Sequence, residues 1–425
     1  MSKLFDLFYL CTGVSTDTRT LKKGELFICL SGERFDANLF VQQAKEKGAN
    51  HIISSDKSQC DGIQIHFVEN TLIYLQQLAK YHREKFQIPV IGITGSNGKT
   101  TTKELINAVL ETEMKVLCTQ GNLNNHIGVP LTLLQLNSQH QIAIIEMGAN
   151  KLGDIDELCE IAEPTHGLIT NIGRAHLEGF GSFDGVLQTK LALYRFIDKQ
   201  KGCIFYNSED AILIENLPKV ETCNYGTNSH SEVQGAIINI NPTLIFNYTI
   251  DSYHSTPLHT QLIGAYNLYN FLAAIAIGYH FGIKFSSIEK GIAQYKPTNN
   301  RSQIQKTERN TLIIDCYNAN PSSMKAAINS FVQLDSVNKI AVLGDMLELG
   351  EVSYEEHNEI IQLCKNNAVE LITVGKEFGA INSHCIHFND TQELIASDIL
   401  KSYEGHAILI KGSRGIGLEK IIPFL

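Results

Sequence analysis

The sequence predicts an α/β protein of three domains: a small N-terminal α/β domain, a central doubly wound and mostly parallel sheet with a variant phosphate loop, and a C-terminal Rossmann-like α/β domain. Three observations predict this fold class. The chain has 425 residues, about three times the length of an ordinary single domain. Short apolar runs alternate with helical stretches along most of it, as is typical of α/β proteins. A glycine-rich turn joins one such run to a helix at residues 92–104.

The first domain is predicted over residues 1–86. Three short apolar runs have the length of strands: 26–30, 49–53 and 63–68. The stretch 40–47 between two of them reads as a helix, and so does 71–86, because Leu72, Leu75 and Leu78 recur at helical spacing. Pro89 follows and restricts the backbone before it, which indicates a boundary.

The central domain is predicted over residues 87–297. Buried-strand runs occupy 90–94, 142–146 and 167–171, with helices after Lys99 and around 153–162. That alternation favours a parallel sheet with its ligand beyond the carboxyl ends of the strands. Residues 203–260 are rich in β-formers and are predicted as an antiparallel insertion or edge, after which the helix 267–281 returns to the central layer.

The third domain is predicted over residues 298–425, because turn residues cluster at 296–300 and a new series of strands follows. Its strand candidates are 312–315, 340–343, 371–374 and 407–410. Helical stretches separate them, which indicates another α/β unit.

Bulk composition excludes several classes of protein. The net charge of −10 and the lack of a long basic run argue against a nucleic-acid partner. The ten cysteines include no C-x-x-C pair, so they give neither a zinc signature nor a disulfide framework. No apolar run approaches the roughly 20 residues of a membrane span, and the N-terminus lacks the pattern of a signal peptide. We expect a cytoplasmic protein with no membrane span.

The turn at residues 92–104 is the strongest functional motif. Gly95 and Gly98 let the backbone curl until several N–H groups point at one place, where phosphate oxygens can accept from them. Lys99 adds a positive charge for the β and γ phosphates, and the Thr100 hydroxyl can ligate Mg²⁺. The spacing from Gly92 is one residue longer than in the commonest phosphate loop. The alternative is an ordinary Gly/Asn turn, which the strand and helix on either side disfavour.

Polar residues follow other strand runs of the central domain. Glu146 ends one run, where a carboxylate can reach Mg²⁺ or an attacking water, although a surface acid would look the same. His176 follows the next run and could equally be a loop side chain. From composition alone, Lys190 is predicted to be a solvated lysine, and Asn267 and Asn270 could be amides on the face of a helix.

Two loops of the third domain also carry polar side chains. Residues 315–324 end a strand and open a helix, with Pro321 suited to its first turn. Their Asp and Asn residues could serve only as turn and cap residues. Lys411 and Arg414 follow the last strand run and offer two cations suited to a carboxylate or phosphate.

Taken together, these segments resemble the Mur ligase family, collinearly over nearly the whole chain. The segments that carry the resemblance are 16–19, 92–100, 121–130, 146–150, 171–178, 317–321, 343–350 and 411–414. The phosphate loop by itself indicates only a Mur-like ligase. The segments 122–125, 146–150 and 317–321 point to the member that adds D-alanyl-D-alanine.

The resemblance implies a cytoplasmic, ATP-dependent, amide-bond-forming ligase of peptidoglycan synthesis. Its implied substrates are UDP-N-acetylmuramoyl-tripeptide and D-alanyl-D-alanine, joined through an acyl phosphate, and we expect a monomer. The implied catalytic residues are Lys99, Glu146, His176 and Lys190. One Mg²⁺ would be bound by Thr100 and Glu146, and a second would lie at His176, supported by a carbamylated Lys190.

The resemblance also assigns binding residues. Those implied for ATP are Gly95, Ser96, Asn97, Gly98, Lys99, Thr100, Thr101, Asn267, Asn270, Arg301 and Asp315. Those implied for the other substrates are Asp17, Thr18, Arg19, Ser31, Gly32, Asn122, Asn124, Asn125, Tyr317, Asn318, Asn320, Lys411 and Arg414. Two positions depart from the family pattern. The usual Asp-Gly-His stands as residues 36–38 with Asn38 at its end, and Ala192 replaces a frequent Glu.

Two alternative functions stay open: a different ligase with the same fold, and a nucleotide-binding protein that is not a ligase. Another amino-acid-adding Mur ligase or a folylpolyglutamate synthase would keep the fold, but the Asp-Asn-Pro-Arg segment of such a relative is absent from the sequence. A nucleotide-gated binding protein would use the phosphate loop as a switch, and it would not need Glu146, His176 or the loop after Lys411.

Overall fold

The computed structural model describes residues 2–33, 35–174, 177–336, 338–381 and 385–425. The predicted catalytic and metal-binding residue His176 lies outside these described residues. The chain forms two compact units. One contains Met1–Gly92, Met114–Ala149 and Asp154–His166; the other contains Ile93–Glu113, Asn150–Gly153 and Gly167–Leu425. The three domains with boundaries at residues 86 and 297 remain a prediction.

The N-terminal stretch contains a small parallel sheet and several helices. Its elements are α1 (Ser2–Phe5), β1 (Val14–Ser15), β2 (Leu26–Ile28), β3 (Ser31–Gly32), β4 (Phe35–Asp36), α2 (Val41–Glu46), β5 (His51–Ser54), β6 (Ile65–Phe67) and α3 (Thr71–Arg83). The sheet order is β1-β2-β5-β6, all parallel, and β3 and β4 form a separate antiparallel hairpin. The strands and helices predicted here are confirmed; β2 and most of β5 are buried, whereas β6 is buried only at Ile65.

The central stretch alternates strands and helices as predicted. Its elements are β7 (Val90–Thr94), α4 (Lys99–Leu110), β8 (Val116–Cys118), α5 (Gly128–Leu133), β9 (Ile142–Glu146), α6 (Asp154–Ala162), β10 (His166–Ile169), α7 (Leu177–Phe180), α8 (Phe183–Gln200), β11 (Cys203–Asn207), α9 (Ala211–Glu215), β12 (Glu221–Gly226), β13 (Val233–Asn239), β14 (Ile245–Ile250), β15 (Tyr253–His254), β16 (Leu258–His259), α10 (Leu268–His280) and α11 (Phe285–Gln294). The sheet order is β15-β14-β13-β12-β11-β10-β7-β9-β8, with β16 beside β14.

The prediction of an antiparallel segment over residues 203–260 is only half right. β13, β14, β15 and β16 pair antiparallel, but β11, β12 and β13 pair with one another in parallel. An apolar pattern reports burial and not the direction of the neighbouring strand, and the short helix α9 supplies the crossover that a parallel pair needs. Helix α10 then packs on α4 and on β11, β12 and β13, which confirms its return to the central layer.

The C-terminal stretch has three layers. Its elements are β17 (Gln303–Lys306), β18 (Thr311–Ile314), α12 (Pro321–Val332), β19 (Lys339–Gly344), α13 (Ser353–Asn366), β20 (Glu370–Val374), α14 (Lys376–Gly379), β21 (Ile386–Phe388), α15 (Thr391–Ala396) and β22 (Ala407–Lys411). The sheet order is β17-β18-β22-β19-β20-β21, and only β17 is antiparallel to its neighbour. Ile328 and Ile360 pack on one face, and Leu394 and Ile421 pack on the other. The predicted α/β fold class is confirmed.

Among the described residues, no helix combines the length and the apolar character that a bilayer crossing requires.

Candidate active site

The phosphate loop lies between β7 and α4, and two glycines fix its course. Gly95 has φ +147° and Gly98 has φ +80°, both in the region that side chains disfavour. A Cβ on Gly95 would collide with the Thr170 hydroxyl, and one on Gly98 would lie 2.9 Å from Asn270 Oδ1. Helix α4 begins at Lys99, so the loop leads directly into a helix N-terminus that favours anions.

The end of β10 and the residues after it support this loop from one side. The Thr170 hydroxyl donates to the Asn97 carbonyl at 2.6 Å, and the Ser96 N–H donates to the Asn171 carbonyl at 3.0 Å. The Asn97 N–H donates to Asn171 Oδ1 at 3.0 Å. Sequence reasoning assigned no role to Thr170 or Asn171. Their position at the carboxyl end of a predicted strand was the available signal.

Lys99 folds back over the loop that it follows. Its Nζ donates to the Gly95 carbonyl at 2.5 Å and to the Ser96 carbonyl at 3.3 Å. These backbone partners hold the cation above the curled loop, where a polyphosphate would be bound. The role of Lys99 in binding the β and γ phosphates stays a prediction.

Lys190 is buried, contrary to the solvated lysine that composition alone would give. It lies on α8 with 2% of its surface exposed, and its Nζ is 5.9 Å from the centroid of the Phe180 ring. Burial lowers the pKa of Lys190 well below its usual range, and the positive charge of Lys99 lowers it further. Both effects favour the neutral amine, which is nucleophilic.

Asn270 lies beside the phosphate loop, and Asn267 supports it. Asn270 Oδ1 accepts from the Thr102 hydroxyl at 3.0 Å, and Asn270 Nδ2 donates to Asn267 Oδ1 at 2.7 Å. Asn267 is 1% exposed and donates to the Ile263 carbonyl at 2.6 Å. Thr101, on α4, is also buried. Of the two asparagines predicted for ATP, the structure therefore brings Asn270 to the loop and buries Asn267 behind it.

The C-terminal residues predicted for ATP and substrate form a second polar cluster. Arg301 lies over the ring of Tyr317, with its Cζ 3.9 Å from the ring centroid, and Arg414 Cζ is 5.5 Å from the same centroid. The Nε of Arg301 is buried without a hydrogen-bond partner among the described residues. A guanidinium with an unused donor is suited to an anion.

Lys411 is not on a flexible loop, where the sequence reasoning placed it. It is the last residue of β22, 2% exposed, and its Nζ donates to Asp315 Oδ2 at 2.5 Å and to the Asn318 carbonyl at 3.3 Å. Asp315 also accepts from the Ser302 N–H at 3.2 Å. The strand extends one residue beyond the predicted 407–410, so a buried ion pair replaces the exposed cation that the sequence predicts.

Asn320 joins the phosphate loop to the start of α12. Its Oδ1 accepts from the Ser323 N–H at 2.9 Å and caps the helix, while its Nδ2 donates to Asn97 Oδ1 at 2.7 Å. The cap was one of the alternatives open at the sequence level, and the contact with Asn97 was not predicted. Asn318, by contrast, is exposed.

Within the first compact unit, Glu146 ends β9 and is 1% exposed. Asn124 Nδ2 donates to Glu146 Oε1 at 2.8 Å, and the Gly148 N–H donates to the Asn124 carbonyl at 2.7 Å. Asn125 Oδ1 accepts from two N–H groups at the start of α5, and Asn122 is exposed. Asn124 therefore fixes the carboxylate of Glu146.

The N-terminal residues predicted for the nucleotide substrate fall into two groups. Asp17 and Arg19 form an exposed ion pair at 2.6 Å, and hydrogen bonds from Arg19 lower the pKa of Asp17. Thr18 is buried and donates to Gln43 at 2.6 Å.

The second group is the turn of Ser31 and Gly32 in the β3–β4 hairpin. The Ser31 hydroxyl donates to Asp36 Oδ1 at 2.7 Å. The Asn38 amide donates to the same carboxylate oxygen at 2.8 Å and to the Ser31 hydroxyl at 3.1 Å. Asn38, to which the sequence reasoning carried over no role, is therefore the residue that ties this hairpin together.

Comparison with known families shows which family this chain belongs to. Three family models match: "Mur ligase family, catalytic domain" over residues 11–109, "Mur ligase middle domain" over 93–278 and "Mur ligase, glutamate ligase domain" over 300–414. The chain belongs to the Mur ligase family, whose members are ATP-dependent ligases that form amide bonds.

Individual relatives narrow the similarity within the family. The chain is 37% identical over 428 residues to the UDP-N-acetylmuramoyl-tripeptide–D-alanyl-D-alanine ligase of Bacillus subtilis (strain 168), covering 97% of this chain and 93% of that protein. It is similar to a crystal structure of MurF from Acinetobacter baumannii, with TM-score 0.89, 31% identity and coverage of 99% and 97% of the two chains. It is also similar to a crystal structure of MurF ligase from Thermotoga maritima in complex with ADP, with TM-score 0.87 and 27% identity. That similarity covers 99% of this chain and 97% of the other.

Proposed function

We propose that this chain joins D-alanyl-D-alanine to UDP-N-acetylmuramoyl-tripeptide at the expense of ATP. The observation that carries the proposal is the buried amine of Lys190, which lies close enough to Lys99 of the phosphate loop for that charge to lower its pKa. A nucleotide switch has no need of a second, buried amine near the lysine of its phosphate loop. The similarity over 97% of this chain to the B. subtilis ligase supports the choice of substrates.

The proposed reaction has two steps. In the first step the substrate carboxylate attacks the γ-phosphate of ATP, giving an acyl phosphate and ADP. In the second, the dipeptide amine attacks the acyl carbon, and phosphate leaves. Lys99, the loop N–H groups and the N-terminus of α4 stabilise the negative charge of the transferred phosphoryl group. Arg301, with its unused buried Nε, is suited to an oxygen of the same group.

Lys190 fits carbamylation. A neutral amine attacks CO₂ at carbon, forms a C–N bond and releases a proton, which leaves a carbamate anion. Burial and the charge of Lys99 both favour the neutral amine that this step requires. The resulting anion, unlike the ammonium, would be attracted to Lys99.

Mg²⁺ requires hard oxygen ligands. Thr100 offers a hydroxyl in the first turn of α4, and Glu146 offers a buried carboxylate that Asn124 orients. Each side chain fits the donor type that the ion prefers, so both stay proposed ligands on their own chemistry. When bound, Mg²⁺ supplies positive charge to the phosphates. His176 is proposed at a second ion from the sequence alone.

The remaining binding roles are proposed in the same way. Exposed groups that can contact a ligand directly include Arg19, Asn318 and Arg414, and the half-buried Asp17 is paired with Arg19. Buried residues such as Asn267 and Lys411 position their neighbours. We also propose that the enzyme acts in the cytoplasm, where ATP is available. We further propose that it acts as a monomer.

The test measures phosphate release from ATP and Mg²⁺ with UDP-N-acetylmuramoyl-tripeptide, with and without D-alanyl-D-alanine. We expect release only with both, together with a ligated product of the correct mass. Release that ignores the dipeptide but responds to a single amino acid would assign the chain to another amino-acid-adding ligase. Slow release unaffected by either peptide substrate would favour the nucleotide switch.

A further inference from the structure

We propose that Cys203, Glu221 and His280 form a binding site for a zinc-like divalent cation, separate from the residues assigned to ATP, Mg²⁺ and the substrates. The three lie in distant segments of the sequence, so no spaced motif marks them. The proposal is independent of the ligase reaction.

The fold brings the three side chains together. Cys203 is the first residue of β11 and Glu221 the first of β12, and the two are directly paired in the parallel ladder. Paired residues on adjacent strands project from the same face of a sheet. Helix α10 packs on both strands and ends at His280. One donor atom from each residue, a sulfur, a carboxylate oxygen and a ring nitrogen, lies within 4.8 Å of the others.

The donor set selects the class of ion. Sulfur, nitrogen and oxygen ligands together are the set that Zn²⁺ binds, whereas Mg²⁺ and Ca²⁺ prefer oxygen alone. Three protein ligands leave the fourth tetrahedral position to water. The site is thus chemically distinct from the oxygen ligands proposed for Mg²⁺.

The surroundings favour a cation there and restrict the imidazole. His280 lies in the last turn of α10, where the carbonyl ends of the helix attract positive charge. Its ring contacts Phe205 edge to face, with the centroids 5.2 Å apart. Phe205 lies two residues after Cys203 on β11, on the same face of the strand. The ring is therefore held on the side of the sheet that carries the thiol.

Cobalt is the most direct probe, because a Co²⁺–thiolate bond absorbs in the near ultraviolet and Co²⁺ bound by oxygen ligands does not. We expect the full chain, stripped of metal by a chelator, to develop this band up to one equivalent of Co²⁺. Zn²⁺ should then abolish it. Absence of the band would overturn the proposal, whatever the ligase activity.

Variants locate the site. Cys203→Ser should remove the band, while Cys223→Ser should keep it, since Cys223 is a buried cysteine of β12 outside the three ligands. Glu221 is exposed, so Glu221→Gln should fold normally and weaken Zn²⁺ binding by at least about tenfold, measured against a chromophoric chelator. A band that survives Cys203→Ser, or unchanged Zn²⁺ affinity in Glu221→Gln, would refute the assignment. If Cys203→Ser does not fold, the wild-type band and Glu221→Gln still decide it.

Discussion

Gly95→Ala tests the phosphate loop at the position where the structure leaves no room for a side chain. Gly95 has φ +147°, and a Cβ there would collide with the Thr170 hydroxyl and lie 3.1 Å from the Thr170 N. That hydroxyl donates to the Asn97 carbonyl at 2.6 Å. The methyl group therefore strains the backbone and displaces the hydrogen bond that holds the other side of the loop.

The magnitude follows from these two effects. An alanine in a sparsely populated backbone region costs about 1–3 kcal/mol, and the lost hydrogen bond adds about 1 kcal/mol. The total is about 2–4 kcal/mol for a loop that keeps its binding conformation. If the loop relaxes away from it, the same energy appears as ATP affinity, which would fall about 30- to 1,000-fold.

The assay is displacement of a fluorescent nucleotide by ATP, together with thermal unfolding. Gly405→Ala is the matched control, because Gly405 has φ +71° but a Cβ there would meet nothing within 4 Å. It should lose about 1 kcal/mol of stability and keep its ATP affinity. Adding Thr170→Ala to Gly95→Ala removes the colliding hydroxyl and should restore part of the affinity. An affinity for Gly95→Ala equal to that of Gly405→Ala would refute this reasoning.

Three further predictions concern other residues of the same unit. Lys190→Ala should abolish turnover, and added short carboxylates should restore part of it; the exposed Lys199→Ala on the same helix should behave as wild type, and a lack of rescue would argue against carbamylation. Lys411→Met should lower the free energy of unfolding by about 3–5 kcal/mol, because it leaves the carboxylate of its partner uncompensated. The control Lys401→Met removes a lysine from an ion pair that is more than half exposed, and it should cost about 1 kcal/mol or less. Equal losses of the two variants in urea titrations would contradict this prediction. Asn320→Ala should cost about 1–2 kcal/mol as a lost helix cap and raise the KM for ATP through the lost bond to the phosphate loop; an unchanged KM would limit Asn320 to capping.

Buried strands were the most predictable part of the fold. The runs 90–94 and 142–146 are strands with the predicted bounds, and every residue in them is buried. A buried run of this length is typical of a strand and too short for most buried helices. The direction of pairing at β11 and β12 was not predictable in the same way. It depends on the crossover between them, and the short helix α9 gives a weak signal in the sequence.

Part of the candidate site could be predicted from the sequence and part could not. Gly95, Gly98 and Lys99 could be placed from local chemistry, because a strand, a glycine turn and a helix lie in one continuous segment. Contacts across the chain could not. The bond from Asn320 to Asn97 depends on two segments that only the folded chain brings together.

Lys190 illustrates why a residue type alone misleads. A lysine is usually exposed because burying an ammonium without a partner carries a large desolvation cost. The chain nevertheless buries this one with Lys99 as a nearby positive charge, which increases the cost of the charged form. Such a residue is tolerated only as the neutral amine or after conversion to a group of opposite charge. A side chain that destabilises the fold in its ordinary form is expected where chemistry requires it, and this is the physical argument for proposing Lys190 as a catalytic residue.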